Sequence, residues 1–308
     1  MLKIAGLYVC ALFLLQSPVF ADGADDWNPP SAGPITTWTA PVMDKGKLSV
    51  QPYAIYNITR GEFNAQGHYD ALSDGDKQSQ FQQQILAKYG ITDKWEFDGQ
   101  IVYQENYITD EGVKSHESGL GDSYIFTRYQ FLDDKGWVPT TTGILQLKVP
   151  TGKYQHEDRD KDGADLMGAS TGGGSWDPGV GINFSKKLKP FMVHADLIES
   201  FPQEVHIDGD EIKFAEYLHY DAAVEYFLPK GFSLMMELNG LAQGDKRVNG
   251  GMVPDSDTKS LTFAPGIGWS NDKIQTLIAY QRVVWGANTA ANDSIVAYLS
   301  DQPIWKRF

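Results

Sequence analysis

The stretch TTTGILQLKVPTGKY, residues 140–154, alternates between apolar and polar side chains along most of its length. Leu145 and Val149 fall on one face. Gln146 and Lys148 fall on the other. A period of two residues predicts a β-strand whose two faces meet different surroundings. The apolar face turns either into a protein core or outward into lipid, so its direction separates a secreted β-protein from a membrane barrel.

Amphipathic strand candidates of this kind follow one another to the end of the chain. We place twelve of them, at residues 47–59, 79–92, 95–108, 121–132, 137–150, 176–186, 189–201, 216–228, 232–244, 259–270, 273–286 and 294–308. An even number of strands returns the C-terminus to the side of the N-terminus, as in bacterial outer-membrane barrels.

The connections between these strands alternate in length. Five are tight turns, near residues 92–94, 133–136, 187–188, 229–231 and 271–272. Six are longer and polar, at residues 60–78, 109–120, 151–175, 202–215, 245–258 and 287–293. Short periplasmic turns and long extracellular loops are typical of a membrane barrel. A secreted β-sandwich is the alternative; it explains the alternation but not this asymmetry.

Aromatic residues collect beside the tight turns, as Tyr89, Trp95, Phe131 and Trp269 illustrate. Amphipathic rings prefer the boundary between headgroups and hydrocarbon, so this pattern predicts a periplasmic girdle. The terminal Phe308 resembles the assembly signal of outer-membrane barrels. We therefore predict an all-β fold, a 12-stranded antiparallel transmembrane β-barrel over residues 47–308.

The N-terminus differs from the rest of the chain. Residues 1–21 combine Lys3, a short apolar run and a V-F-A ending, which predicts a cleaved signal peptide. The single cysteine, Cys10, lies inside it, so no disulfide is expected in the exported chain. Residues 22–46 are rich in proline and tryptophan and predict an irregular segment. It either plugs the lumen, with Trp27 and Trp38 as constriction candidates, or forms a disordered periplasmic tail.

The charge balance limits the partners of the chain. Asp and Glu number 40 against 26 Lys and Arg, a net charge of −14, which argues against binding nucleic acid. The predicted partners are a small-molecule solute, the lipid bilayer, lipopolysaccharide and, during insertion, the barrel-assembly machinery. We expect no cofactor.

The polar faces of the strands carry charges of both signs. In a membrane barrel this face surrounds the lumen, where buried charges must pair. We take the following residues as candidates for lining a solute path: Glu96, Asp98, Gln100, Arg128, Gln146, Lys148, His194, Asp196, His219, Asp221, Glu225 and Glu237. The alternative is that most of them only join the wall through ion pairs and hydrogen bonds.

Three short motifs carry a resemblance to a known family: GLGD at residues 119–122, LKVPTG at 147–152 and GSWD at 174–177. They resemble the outer-membrane transporters named for the "meta-pathway of phenol degradation". The resemblance implies a twelve-stranded uptake channel linked to the catabolism of aromatic or otherwise hydrophobic compounds. Read from the residues alone, the glycines permit a bend and Pro150 ends a strand, so the motifs look structural.

One acidic stretch imitates the start of a calcium loop, with alternate carboxylates at Asp158, Asp160, Asp162 and Asp165. Ala169 stands where such a loop carries its bidentate Glu, and a solvated acidic loop is the alternative. The other constellations are weaker. The histidines of the loops show no ligand spacing, and no motif of a hydrolase, nucleotide-binding or zinc enzyme is present.

These observations favour a channel for passive uptake of small hydrophobic or aromatic molecules, and not an enzyme. Two alternatives remain. An outer-membrane lipid hydrolase-like barrel would need Ser and His on the lipid-facing side, whereas His194 and His219 share parity with the polar face. A structural or adhesive surface barrel would act through its acidic loops.

Overall fold

The structure is a computed structural model that describes residues 27, 29, 31, 33–153, 170–207, 209–271 and 273–301. The predicted signal peptide, the acidic stretch 158–165 and Phe308 lie outside the described residues. Among the described residues, no helix is long and apolar enough to cross a membrane.

Strands make up most of the described chain. In chain order they are β1 (Leu48–Phe63), β2 (Tyr69–Ala71), β3 (Lys77–Thr92), β4 (Trp95–Asp110), β5 (Val113–Leu120), β6 (Ser123–Leu132), β7 (Thr140–Val149), β8 (Asp177–Leu188), β9 (Phe191–Ser200), β10 (Val205–Ile207), β11 (Asp210–Lys213), β12 (Tyr217–Phe227), β13 (Phe232–Gln243), β14 (Arg247–Val248), β15 (Gly251–Met252), β16 (Thr258–Ser270), β17 (Gln275–Ala287) and β18 (Thr289–Ser300). A 3₁₀ turn at Pro229–Gly231 connects β12 to β13.

Twelve of these strands form one closed barrel. Their order is β1, β3, β4, β6, β7, β8, β9, β12, β13, β16, β17 and β18. Each pairs antiparallel with its neighbours, and β18 returns to β1 with Tyr298 opposite Tyr53. The predicted fold class is therefore confirmed. Closure leaves the barrel strands without a free edge along most of their length.

The outer surface of the wall is apolar. Leu145 on β7, Ile101 on β4 and Ile278 on β17 expose 59%, 58% and 60% of their area. The residues beside them in sequence point inward and are mostly polar or buried, as Ile144 at 1% exposure illustrates. So much apolar surface requires hydrocarbon and not water around it. The apolar face of residues 140–149 thus points outward, and Ile144 breaks the alternation because it packs inside.

Two of the six predicted long loops are wrong. Residues 287–293 are not a loop, because β17 and β18 are joined by a tight turn at Asn288 and the polar run after it pairs with β1. Residues 109–120 are mostly β5, which pairs with the upper half of β4. Both segments lack the alternating pattern because they lie at the long-loop end of the barrel, where a strand no longer needs an apolar outer face. The last described strand accordingly begins at Thr289 and not at residue 294, and it runs to Ser300; residues 302–308 lie outside the described residues.

The loops at residues 201–216 and 244–257 carry a small sheet of their own. It consists of β10, β11, β14 and β15, in that order. His206 lies opposite Glu211 in the β10–β11 pair, and Ile212 lies opposite Val248 in the β11–β14 pair. This sheet, called the outer sheet below, stands at the long-loop end of the barrel.

Candidate functional site

The described residues between Trp27 and Gly46, called the N-terminal segment below, lie inside the barrel, with Lys45 and Gly46 exposed at its short-turn end. At the short-turn end, the Gly46 N–H donates to the Gly90 carbonyl at 2.7 Å and the Lys45 N–H donates to Asp93 at 3.1 Å. Pro34 and Pro41 have no N–H and cannot continue a ladder, which keeps the segment irregular. An irregular backbone inside a barrel needs partners for its other N–H groups.

Glu237 on β13 supplies four of the hydrogen bonds that the segment needs. One carboxylate oxygen accepts from the Ile35 N–H, and the other accepts from the N–H groups of Thr36 and Thr37 and from the Thr37 hydroxyl, each at 3.1 Å. The side chain of Glu237 is 1% exposed. A buried carboxylate that binds three successive backbone N–H groups acts as a clamp on that turn.

Other inward side chains accept from the rest of the segment. The Trp38 N–H donates to Asp196 on β9 at 2.7 Å, and the Met43 N–H donates to Glu96 on β4 at 2.5 Å. Carboxylates of three different strands, β4, β9 and β13, therefore hold one irregular stretch of backbone.

The carbonyl groups of the segment are also bound by the wall. Arg128 and Asn183 both donate to the Thr39 carbonyl, the latter at 2.7 Å. The hydroxyl of Thr142 donates to the Ala40 carbonyl at 2.5 Å. Side chains of the polar face thus bind both N–H and carbonyl groups of the segment and hold it in position.

Apolar contacts close the space around the segment. Ile35 packs in a buried cluster with Met235, Leu277 and Val296. At the short-turn end, Trp27 meets Phe227 edge-on with ring centroids 5.4 Å apart.

A charged cluster lies under Trp38. Arg128 bridges to Glu96 at 2.6 Å and approaches Asp98 at 3.9 Å, and all three side chains are fully buried. The guanidinium of Arg128 is 4.9 Å from the Trp38 ring centroid, and the ammonium of Lys88 is 5.3 Å from it. The Trp38 ring therefore lies close to two cations, of which Lys88 also borders the cavity described next.

A cavity of about 650 Å³, called the lumenal cavity below, lies beside Trp38. Trp38, Tyr124 and Phe126 form part of its lining. Trp38 and Phe126 have ring centroids 4.7 Å apart, and Tyr124 and Phe126 are 5.9 Å apart and nearly parallel. The Trp38 ring is tilted by 57° to the Phe126 ring, so the three rings provide an apolar but angled surface within the barrel.

Glutamine amides make up much of the remaining lining. They are Gln51, Gln82, Gln84, Gln100, Gln104, Gln146 and Gln281. The Gln100 amide donates to Gln84 at 2.5 Å, and the Gln281 amide donates to Thr36 at 3.0 Å. Each amide has both donors and an acceptor, so the lining can exchange hydrogen bonds with an uncharged solute.

The three motifs singled out in the sequence meet at the other side of the lumenal cavity. Lys148 of the second motif lies 2.5 Å from Asp177 of the third and 3.6 Å from Asp122 of the first. Ser175 donates to Asp177 at 2.6 Å, and Asp122 accepts from the Gly173 N–H at 2.7 Å. We call this group the motif cluster. It holds residues 170–175 against the lumen, where Thr171 to Gly173 line the cavity.

The residues predicted to line a solute path divide into two groups. Those that border the lumenal cavity are Gln100, Gln146, His219 and Asp221. Those that are buried away from it are Glu96, Asp98, Arg128, Lys148, His194, Asp196, Glu225 and Glu237. Among the latter, Lys148 belongs to the motif cluster, Glu225 accepts from Ser31 at 2.7 Å, and His194 contacts Ser185 at 2.8 Å. Of the two tryptophans, Trp38 borders the cavity.

Several lining residues were not among those predicted from the sequence, although the sequence contains a signal for them. The run QSQFQQQ at residues 78–84 places Gln82 and Gln84 on the inward face of β3 and leaves Gln83 outside. Glutamines at alternate positions of a strand that continues into the apolar residues Ile85 and Leu86 indicate that the inner face is polar and hydrated. The contribution of Thr171 to Gly173 had no signal in the sequence, because it depends on how the loop folds back.

A family model described as "Putative MetA-pathway of phenol degradation" matches residues 98–298. The matched region runs from β4 into β18 and contains all three motifs of the cluster. No curated protein sequence matches the chain.

Solved structures with the same barrel are only distantly related in sequence. The COG4313 outer membrane channel from Pseudomonas putida F1 has a TM-score of 0.71 and 15% identity, over 87% of this chain and 99% of that chain. The NanC porin has a TM-score of 0.48 and 10% identity, over 83% of this chain and 100% of that chain. At such identity, the first likeness shows a shared outer-membrane barrel fold.

Proposed function

The chain belongs to the family described as "Putative MetA-pathway of phenol degradation", and we propose that it is an outer-membrane channel for passive uptake of small, uncharged molecules of aromatic or otherwise hydrophobic character. The lumenal cavity carries this proposal, because aromatic rings and uncharged amides line it together. No cofactor or energy source is needed, since a concentration gradient drives the flux.

The rings favour flat solutes. A planar apolar molecule can stack on one of the rings of Trp38, Tyr124 and Phe126 and meet another edge-on, and aromatic pairs gain about 0.5–1.5 kcal/mol beyond the area they bury. A hydroxyl or carbonyl group on the same molecule can bind the amides of Gln84 and Gln100. Such weak, replaceable contacts suit a path through which the solute must also leave.

The charges disfavour ions. Lys88, Asp122 and Asp221 border the cavity, and each already has a contact. Asp122 is engaged by Lys148, the ammonium of Lys88 lies over the Trp38 ring, and Asp221 is hydrogen-bonded to Asn239. An ion entering this space would lose hydration, at a cost of several kcal/mol, and would have to displace an existing contact to regain it. An uncharged solute has a much smaller desolvation cost.

We also propose that the N-terminal segment is a plug that keeps the resting channel closed to ions. This proposal is supported by the hydrogen bonds that its backbone forms with Glu96, Asp196 and Glu237 on three strands. A solute leaving the lumenal cavity toward the periplasm has to pass between the segment and the wall or displace part of the segment.

The uptake proposal is tested in vesicles whose outer leaflet is lipopolysaccharide, because a plain phospholipid bilayer is itself permeable to small aromatic molecules. Radiolabelled benzyl alcohol should enter protein-containing vesicles faster than protein-free ones. Benzoate, similar in size but charged, should gain no such advantage. Equal benzyl alcohol rates with and without the protein would overturn the proposal.

A matched pair of variants locates the path. Gln84→Leu removes an amide that borders the cavity, and Gln83→Leu makes the same change at a neighbour exposed on the outer face. We expect the first variant to alter benzyl alcohol uptake and the second to leave it unchanged.

The two alternative functions give different results in the same preparation. A lipid hydrolase would release fatty acids from the vesicles. We do not expect this release, because the histidines on the barrel strands, His194 and His219, are in the lumen and not on the lipid-facing side. A purely adhesive barrel would give no uptake of either solute.

We further propose that the outer rim contacts lipopolysaccharide and that insertion uses the barrel-assembly machinery.

A further inference from the structure

The outer sheet brings together three side chains with metal-ligating atoms. Glu204 and His206 are two residues apart on extended backbone, so they share a face, and His206 lies directly opposite Glu211. One ligand atom from each of the three lies within 4.8 Å of the others, and all three side chains are exposed. From this arrangement we propose that Glu204, His206 and Glu211 bind a divalent transition-metal ion at the long-loop end of the barrel.

The charges of the site point to a cation. Two carboxylates converge here, yet neither takes part in an ion pair among the described residues. Lys213 lies two residues beyond Glu211 on the same face, but its ammonium donates to the Pro202 carbonyl instead. Like charges held this close repel each other unless a cation lies between them.

The backbone holds the three residues in place. The Glu211 N–H donates to the side chain of Asn249 at 2.9 Å, and the Asn249 N–H donates to the Glu211 carbonyl at 2.8 Å. The bond from Lys213 to Pro202 fixes the chain just before Glu204. A small rotation of exposed side chains is then enough to bring their atoms to about 2.0–2.2 Å from one ion.

The donor set selects the kind of metal. An imidazole with two carboxylates suits zinc and similar transition metals, whereas calcium takes oxygen ligands alone. Three protein ligands leave a fourth position to water in a tetrahedral site. A bound ion would join the β10–β11 hairpin across its two strands and reduce its opening.

Calorimetric titration of the full-length, metal-stripped barrel in detergent with Zn²⁺ tests the site. We expect one Zn²⁺ per chain, and an affinity at least about tenfold lower in His206→Gln and in Glu211→Gln. The control is His116→Gln, which removes an exposed histidine on β5 that stacks on Tyr107. This variant should bind as the unchanged protein does, and Ca²⁺ should not displace Zn²⁺.

Hydrogen exchange provides a second readout that does not depend on binding heat. Zn²⁺ should slow amide exchange in β10 and β11 of the unchanged protein but not of His206→Gln. Zn²⁺ binding that survives His206→Gln, displacement by equimolar Ca²⁺, or the absence of binding would each overturn the proposal.

Discussion

The guanidinium of Arg128 meets the carboxylate of Glu96 at 2.6 Å, with both side chains fully buried beneath Trp38. Asp98 lies 3.9 Å from the same guanidinium, which also donates to the Thr39 carbonyl. One arginine of β6 therefore lies next to two carboxylates of β4 and also holds the N-terminal segment.

Replacing this arginine should be costly. Arg128→Met removes the ion-pair partner of the buried Glu96 carboxylate, which lowers the free energy of unfolding by about 3–5 kcal/mol. Urea unfolding in lipid vesicles, followed by tryptophan fluorescence, measures this loss. The control is Arg282→Met, whose more exposed pair with Asp293 is 3.4 Å long and should contribute less than about 1 kcal/mol. Equal effects of the two variants would contradict this account of the cluster.

A second buried cation joins the three sequence motifs. Lys148→Met releases the carboxylates of Asp122 and Asp177, and we expect a loss of about 3 kcal/mol in the free energy of unfolding. Residues 170–175 should then lose their position against the lumen, and benzyl alcohol uptake should change. Lys259→Met removes an exposed pair with Asp257 and should have a small effect on both measurements.

Much of the fold could be predicted because the membrane imposes it residue by residue. In β7, outward side chains contact lipid and inward side chains face a polar lumen. Because successive residues of a strand point to opposite faces, the polarity of the sequence alternates with a period of two residues. Where side chains contact lipid in this way, the predicted and observed strand boundaries differ by at most a few residues. The strand predicted at residues 95–108, for example, is observed at Trp95–Asp110. The lipid constraint on side chains applies only within the hydrocarbon layer, so the sequences of β5 and of the start of β18 lack the alternation and predict loops.

The lumen was harder to predict because parity alone does not say what lies against an inward side chain. Arg128 and Gln100 share the polar face, yet Arg128 is covered by the N-terminal segment and Gln100 borders open space. The segment itself has no periodicity, and its partners are as far along the chain as Glu237. The cluster of Glu204, His206 and Glu211 escaped notice because a hairpin register is needed to bring its third member to the first two.

The periplasmic turns should respond to pH. The ammonium of Lys94 donates to Asp133 at 2.9 and 3.1 Å and lowers the pKa of that carboxyl below its ordinary value, as does the amide of Gln130. Because the pKa of Asp133 is lowered in the folded state, the ion pair adds stability at pH values above the ordinary pKa of an aspartate. This stability is lost as the pH falls through the folded-state pKa. Asp133→Asn should therefore destabilise the barrel slightly, by less than about 1 kcal/mol, at neutral pH and not in strong acid. A double-mutant cycle with Lys94→Met across pH measures the coupling.

A glycine on the outer wall accommodates an aromatic ring. A Cβ added to Gly240 on β13 would lie 2.1 Å from the ring of Tyr220, its cross-strand partner on β12. Gly240→Ala should displace this ring and lower the free energy of unfolding by about 1–3 kcal/mol. Gly99→Ala on β4 is the matched control, since its Cβ would have nothing within 4 Å. If Gly240→Ala changes the free energy of unfolding no more than Gly99→Ala does, the position of the Tyr220 ring does not depend on the lack of a Cβ at residue 240.

Removing the N-terminal segment should open the barrel to ions. Deletion of residues 22–43 leaves Glu96, Asp196 and Glu237 without the backbone groups they bind, and water takes their place in the lumen. Single-channel recording in planar bilayers should then show a unitary conductance several-fold above that of the full-length protein. A deletion of residues 22–30 keeps Ile35, Trp38 and their contacts, so it should retain the low conductance of the full-length protein. An equal, low conductance for both deletions would mean that the segment does not control ion passage, while benzyl alcohol uptake would still test the channel itself.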